Sequence, residues 1–300
     1  MPPAFTHWEA AMKHRDDEHR TITRRDLLKG AAYTTIGAAI GLGPLRSIAE
    51  AAGDPAATVV IVKSANVLDK DGNLDKALLE KMLDTGMSKL SGKKTVADSW
   101  KAYFKPEDSV GVKMSKQMTV THPELTDAIT QRLKSIGVTK SEVWDRDAKK
   151  PEGFTALINV PGLKTHWLSG IAGAIKNYAG CHPKPSQYHG DSCADLAEMW
   201  EYPALKGKTK LVIIDALKVL YNGGPQIDPR YLWDYKGLIL GTDPVAVDAV
   251  CLDIIQKKRN ATQPPTWVIS PPPKHIEVAD KKYKLGVSDL SKIKIVEVQV

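Results

Sequence analysis

The sequence contains few cysteines, few phenylalanines and no long apolar segment. Its three cysteines include no C-x-x-C pair, the spacing typical of iron–sulfur and zinc sites, so a resident iron–sulfur cluster is not supported. Three cysteines in 300 residues also exclude a small disulfide-stapled scaffold. The 22 glycines and 19 prolines are too few for a collagen-like or low-complexity chain. The composition therefore predicts a globular protein with a sizeable core.

Neither sign of charge dominates the chain. Lys and Arg number 42 against 35 Asp and Glu, which gives a net charge of +7 spread over the whole length. No basic stripe with interleaved aromatic residues is visible, so nucleic-acid binding is not expected. The mild positive excess favours a small anionic ligand or simple solubility.

Residues 1–51 have the pattern of an export signal behind a polar N-terminal extension. Thr23–Lys29 contains paired arginines, an uncharged segment follows over residues 30–45, and Ala49–Ala51 is a small-x-small cleavage site. The paired arginines indicate the twin-arginine route, which predicts the twin-arginine translocase as a partner and a periplasmic location. Because this route carries folded proteins, it also suits a cofactor that is inserted in the cytoplasm.

A membrane anchor is the alternative interpretation of that segment. The uncharged run is interrupted by glycines and is shorter than the roughly 20 apolar residues of a spanning helix, so we expect no stable span in the mature form. Whether the signal is cleaved or retained as an anchor stays open.

Residues 52–300 alternate short apolar strands with amphipathic helical patterns. This alternation predicts a single α/β domain with Rossmann-like layers, in which a mainly parallel or mixed sheet is flanked by helices. The predicted strands are Thr58–Lys63, Ser109–Met114, Ser141–Asp145, Ala156–Val160, Thr209–Asp215, Gly237–Leu240 and Lys292–Val300. The predicted helices are Leu74–Leu90, Pro123–Gly137 and Pro244–Lys258. We expect a ligand beyond the carboxyl ends of the strands, in the loops after Met114, Asp145, Val160, Asp215 and Leu240.

The densest set of polar side chains follows the strand that ends at Val160. Its candidate site residues are Lys164, His166, Lys176, Asn177, His182 and His189. Lysine binds phosphate or carboxylate as a point charge, and a desolvated lysine becomes a nucleophile. Gly170 and Gly173 have the spacing of one helical turn, which permits close approach by a ligand or by another backbone. For each histidine taken alone, the alternative is an ordinary hydrogen-bonded residue. For the two glycines, the alternative is close helix packing.

Other polar residues stand at predicted strand and helix ends. His122 precedes Pro123 at a helix start, where it either orients an anion or forms part of an ordinary cap. Asp145 ends a strand at the expected ligand edge and is a candidate acid or base. Asp243 is predicted to cap a helix, and Asp248 is a candidate buried acid.

The cysteines leave one question open. Cys181 and Cys193 either pair in a short-loop disulfide or remain free, and Cys251 lies in an apolar pattern typical of a buried position.

Several segments together resemble the domain of unknown function 362 family over roughly residues 57–295. They are Asp108–Lys113, His122–Glu124, Asn159–His166, Gly170 with Ala174–Asn177, His189–Gly190, Asp215–Ala216, Gly223–Pro225 and Asp243–Asp248. Members of this family are often exported by the twin-arginine route. The resemblance implies a single domain of this type over residues 52–300.

The segment 165–176 is also similar to the cofactor-binding segment of lactate racemase–type enzymes. In that family a histidine precedes by ten positions the lysine that binds a nickel-pincer nucleotide, as His166 precedes Lys176 here. The resemblance implies that Lys176 anchors the cofactor, that His189, with His166, provides metal ligands, and that His166 is an acid or base. The same resemblance implies nickel, or a nickel-pincer nucleotide, as a cofactor, whereas the residues by themselves leave the cofactor unidentified.

Together these features predict an exported enzyme, dependent on a cofactor or metal, that acts on a small anionic substrate in a racemase-, epimerase- or oxidoreductase-like reaction. The expected catalytic residues are His166, Lys176 and Asp145. The expected cofactor-binding residues are Lys176, Lys164, Gly170, Gly173, Asn177 and His122. The alternative is a periplasmic anion-binding or accessory protein that assists a redox complex without catalysis.

Overall fold

A computed structural model describes residues 55–224, 226–263 and 266–300. The twin-arginine segment and its expected cleavage site lie outside the described residues.

Nine strands of the described chain form one mixed sheet. Their bounds are β1 Ala57–Lys63, β2 Ser109–Met114, β3 Lys140–Trp144, β4 Ala156–Val160, β5 Gly162–His166, β6 Gly170–Ala172, β7 Thr209–Leu220, β8 Leu232–Gly241 and β9 Ile293–Gln299. The main order is β3-β2-β4-β7-β8-β1-β9, and β5 pairs with β6 and with β7. Strands β3, β2, β4 and β7 are parallel, whereas β8 runs antiparallel to β7 and β1. The predicted α/β class with a mixed sheet is confirmed.

Helices cover the sheet. The α-helices are α1 Lys76–Ser91, α2 Val96–Lys101, α3 Pro123–Ser135, α4 Ala174–Asn177, α5 Pro244–Thr262 and α6 Lys274–Lys281. Short 3₁₀ turns lie at Lys150–Gly153, Tyr178–Cys181, Pro185–His189, Asp191–Cys193, Leu196–Glu201, Pro229–Tyr231 and Leu290–Lys292. The helix starts follow local chemistry: Pro123 stands at the first position of α3, and the Asp243 carboxylate accepts the Val245 and Ala246 N–H groups at the start of α5. The predicted capping role of Asp243 is confirmed.

The core consists of two apolar layers, one on each face of the sheet. In β1, Val59 and Ile61 belong to the layer beneath α5 and α6, while Val60 and Val62 belong to the layer beneath α1, α2 and α3. Alternate residues of a strand point to opposite faces, so a continuous apolar strand requires cover on both. This is the physical reason why the short apolar runs in the sequence predicted the fold class correctly.

The segment around Gly170 differs from the prediction. Gly170 and Gly173 do not lie one turn apart on a helix, because residues 162–172 form the β5–β6 hairpin, and Gly173 precedes the short helix α4. Gly170 has a φ of 73°, a left-handed conformation that glycine adopts without strain. A Cβ atom there would lie 2.5 Å from the Pro271 carbonyl oxygen, so the close approach is to another backbone segment.

Two further sequence questions are answered by the described chain. Cys181, Cys193 and Cys251 are all buried free thiols, so the alternative of a Cys181–Cys193 disulfide is not present. Within the described ranges, no helix combines the length and the apolar character needed to cross a bilayer.

Candidate functional site

A cavity of about 400 Å³ opens at the carboxyl ends of β2, β3 and β4. Residues immediately after these strands line it, as expected for a parallel sheet, whereas the loops after Asp215 and Leu240 do not. The cavity gathers seven of the sequence-predicted site residues: Asp145, Lys164, His166, Gly173, Lys176, Asn177 and His189. Four basic side chains that line it, Lys113, Arg146, Lys164 and Lys176, face a single carboxylate, Asp145. The arrangement is an anion-attracting pocket.

Lys113 is a site residue that sequence reasoning missed. It lies in β2, is 1% exposed, and donates from Nζ to the Met114 carbonyl oxygen at 2.6 Å. Weaker contacts of 3.4 Å and 3.3 Å join Nζ to Asp145 Oδ1 and to Asn177 Oδ1. Burial lowers the pKa of Lys113, while Cys181 and Asp145 act in the opposite direction. Asp145 is therefore the counter-ion of Lys113 at the cavity wall.

Lys164 fixes one wall of the cavity. Its Nζ donates to Ser115 Oγ, to the Thr119 carbonyl oxygen and to the Gly162 carbonyl oxygen at 3.0–3.2 Å. These bonds attach the segment after β2 to β5. Burial, together with the charge of Lys113, lowers the pKa of Lys164 to about 7. The charge of this side chain consequently changes near neutral pH.

The short helix α4 presents Lys176 to the cavity. The buried carboxylate of Asp248 accepts the Ala174 N–H at 2.6 Å and the Ile175 N–H at 2.9 Å, and Asn159 Nδ2 donates to the Ala174 carbonyl oxygen at 2.8 Å. A four-residue helix is unstable by itself, so these tertiary bonds set its position.

Lys176 itself makes no hydrogen bond or ion pair with the residues that the structure describes. Burial lowers its pKa, and the nearby Cys193 thiol opposes that shift. Lys176 is thus a partly buried amine that is available to a ligand.

His166 faces the cavity as a neutral imidazole. Its Nδ1 accepts the Leu168 N–H at 3.1 Å, so the ring proton is on Nε2. Burial and the neighbouring cations Lys176 and Lys164 lower its pKa to about 3. In this geometry Nε2 is a hydrogen-bond donor and does not offer a metal-binding lone pair.

His189 lies at the exposed rim of the same cavity. Burial and the charge of Lys176 lower its pKa. Among the described residues, no group of three or more His, Cys, Asp or Glu side chains has the arrangement of a metal site. By its chemistry, the exposed imidazole of His189 suits nickel as a single ligand, and the Lys176 amine suits the anionic part of a nucleotide.

Two predicted ligand-binding residues lie outside the cavity lining. Gly170 packs against the segment 271–273. The backbone N–H and Nδ1 of His122 both lie 2.8 Å from Asp215 Oδ2, and this bond raises the pKa of His122. His122 is thus occupied by an internal carboxylate.

Besides Lys113, sequence reasoning missed Arg146 and Ser115 as lining residues. Their positions in the sequence indicate this role, because Ser115 and Arg146 stand just after the ends of β2 and β3, where a ligand was expected.

Comparison with known proteins supports one of the two resemblances, that to the domain of unknown function 362 family. A family model described as "Domain of unknown function (DUF362)" matches residues 146–253, which include Lys164, His166, Lys176, His189 and Asp248. The chain is also similar to a protein named "NH(3)-dependent NAD(+) synthetase" from Oceanobacillus iheyensis, with 28% identity over 174 residues. That match covers 54% of this chain and 62% of the relative, so the chain spans less than two thirds of that protein. No solved structure matches the chain.

Proposed function

We propose that this protein is an enzyme, exported by the twin-arginine route, that binds a small anionic substrate such as a 2-hydroxy acid in the cavity and moves a proton or hydride at it. The observation that carries the proposal is Lys176: an amine with a lowered pKa, without an internal partner among the described residues, in a pocket of further cations. Titratable groups with pKa values shifted by burial and by specific neighbours are typical of reaction sites. The similarity to a relative named as a synthetase supports an enzyme in general terms, and its named activity is not carried over.

Each cavity residue has a distinct part in the proposed reaction. Lys113 and Lys164 attract the anionic group of the substrate. Lys176 in its neutral form accepts the proton from C2 of the acid, and the electron pair of the C–H bond forms a C1–C2 double bond while a C1–O π bond opens onto the carboxylate oxygen. His166 donates from Nε2 to that oxygen, because its Nδ1 already accepts the Leu168 N–H. Lys176 then returns the proton to the opposite face of C2, after the planar intermediate has turned over in the cavity, and this inverts the centre.

A nickel-pincer nucleotide, or another metal-bearing cofactor, remains part of the proposal. When bound, it would supply a hydride acceptor. Lys176 is the residue that would anchor it, and His189 is the side chain that would ligate its metal. His166 would then stay a donor to the substrate.

The test uses protein purified from its native periplasm, with metal analysis and intact-mass measurement to detect a cofactor. A panel of 2-hydroxy acids is incubated in D₂O, loss of the C2 proton is followed by NMR, and inversion is followed by chiral chromatography. Inversion with exchange indicates proton transfer, and inversion without exchange indicates hydride transfer.

We expect Lys176→Ala to lower the rate at least about 100-fold. Lys134→Ala, at an exposed position on α3, is the matched control.

Anion binding without turnover of any acid would instead support the alternative, an anion-binding or accessory protein of a periplasmic redox complex. No turnover together with no metal and no mass adduct would contradict the proposed enzyme.

A further inference from the structure

Trp167 stands at the rim of the cavity in the turn between β5 and β6. The residue is 54% exposed although it lines the cavity. The turn is defined by two bonds to His166, one from the Leu168 N–H to Nδ1 at 3.1 Å and one from the Ser169 N–H to the carbonyl oxygen at 3.2 Å. The turn thus holds an exposed indole beside the cavity, and an aromatic face in that position is open to stacking by a planar ligand.

Two of the charged groups that line the cavity are deeply buried, whereas Arg146 is exposed. Lys113 and Lys164 are 1% and 5% exposed, whereas Trp167 is largely open. Met118, Leu168 and Pro185 add apolar surface to the lining. The buried part of the lining is therefore cationic, and its exposed part combines the Trp167 indole with Arg146 and His189.

A small anion would use only the inner part of this space. The volume of about 400 Å³ falls within the range of pockets that enclose a whole organic ligand. We propose that the natural ligand is an anion that carries a planar aromatic ring, with its carboxylate or phosphate among the lysines and its ring stacked on Trp167. This inference rests on the proposed function for the anionic end and adds the substrate class.

The test measures binding to the full chain by calorimetry with two matched pairs of probes: phenyllactate against lactate, and phenyl phosphate against methyl phosphate. In each pair only the ring differs, and the two pairs separate a carboxylate from a phosphate head group. We expect the ring-bearing member to bind about five-fold more tightly, as one aromatic pair contributes. Trp167→Phe retains the preference. Trp167→Leu, which keeps an apolar side chain without a ring, loses it.

Equal binding within both pairs would overturn the inference, and so would an undiminished ring preference in Trp167→Leu. Thermal unfolding of each variant verifies that it is folded. The Lys176→Ala variant distinguishes failure of this inference from failure of the proposed function. If the anions bind, and bind more weakly to Lys176→Ala, but show no ring preference, the inference alone fails. If none of the four probes binds, the proposed function fails with it.

Discussion

The Asp248 carboxylate occupies the space that a side chain on Gly173 would need: a Cβ atom there would lie 2.1 Å from Asp248 Oδ1. The same carboxylate accepts the first two N–H groups of α4. Because α4 carries Lys176, the absence of a side chain at Gly173 and the burial of Asp248 together determine where the amine stands. Gly173 was predicted to contact a ligand. In the structure it also leaves room for the Asp248 carboxylate, which positions α4.

Gly173→Ala tests this relationship. We expect the added methyl group to displace Asp248 or α4, to lower the free energy of unfolding by about 1–3 kcal/mol, and to weaken sulfate binding in the cavity. Gly153→Ala is the matched control, because a Cβ atom there meets nothing within 4 Å. Denaturant unfolding and calorimetry provide the two readouts, and equal behaviour of the two variants would contradict the account.

Lys164 predicts a pH dependence of anion binding. Its pKa of about 7 means that it is charged below that pH and neutral above it. Sulfate, whose own charge is constant, should therefore bind about ten-fold more weakly at pH 8.5 than at pH 6. Lys164→Met should remove this step, and Lys164→Arg should keep the tighter binding at both pH values. An unchanged pH profile in Lys164→Met would assign the dependence to another group.

His275 predicts sensitivity to acid. The residue is fully buried, neither ring nitrogen has a hydrogen-bond partner among the described residues, and burial lowers its pKa to about 3. A histidine with an ordinary pKa near 6.5 in the unfolded chain then binds a proton on unfolding, so stability is lost as the pH falls from 6.5 toward 3. Between pH 7 and pH 5 this group should cost about 2 kcal/mol of unfolding free energy.

The measurement is urea unfolding at pH 7 and pH 5. His275→Leu should lose less stability over this interval than the wild type, because it removes the group that titrates. The same loss in both proteins would exclude His275 as its source.

The paired arginines predict export. Replacement of Arg24 and Arg25 by lysine should deplete the protein from the periplasmic fraction, since the twin-arginine signal depends on them. The same replacement at Arg15 and Arg20, outside the motif, is the control. Fractionation of cells that express each form measures the outcome, and full export of the form with both motif arginines replaced would contradict the assignment.

The layers of the fold could be predicted because apolar strands and amphipathic helices repeat with clear periods. Strands β2 and β4 have the predicted bounds, Ser109–Met114 and Ala156–Val160. The β5–β6 hairpin was missed because Gly170 and Gly173 have helical spacing, whereas pairing of β5 with β7 decides the local structure. Tertiary pairing of this kind has no local sequence signal.

The candidate site could be predicted in part. The Lys/His segment was visible because many polar groups follow one strand. Lys113 was missed because a single lysine in a strand usually points to solvent, and its burial against Asp145 and Asn177 depends on three different elements. His122 was assigned to a ligand because its partner, Asp215, is distant in sequence.

Calorimetric titration of sulfate into the wild type, Lys176→Ala and Lys134→Ala decides whether the cavity is an anion site organised around Lys176. We expect binding at least about ten-fold weaker in Lys176→Ala, the loss expected for one charge-assisted hydrogen bond, and wild-type affinity in Lys134→Ala. Equal affinity in all three proteins would show that Lys176 does not hold an anion in this cavity.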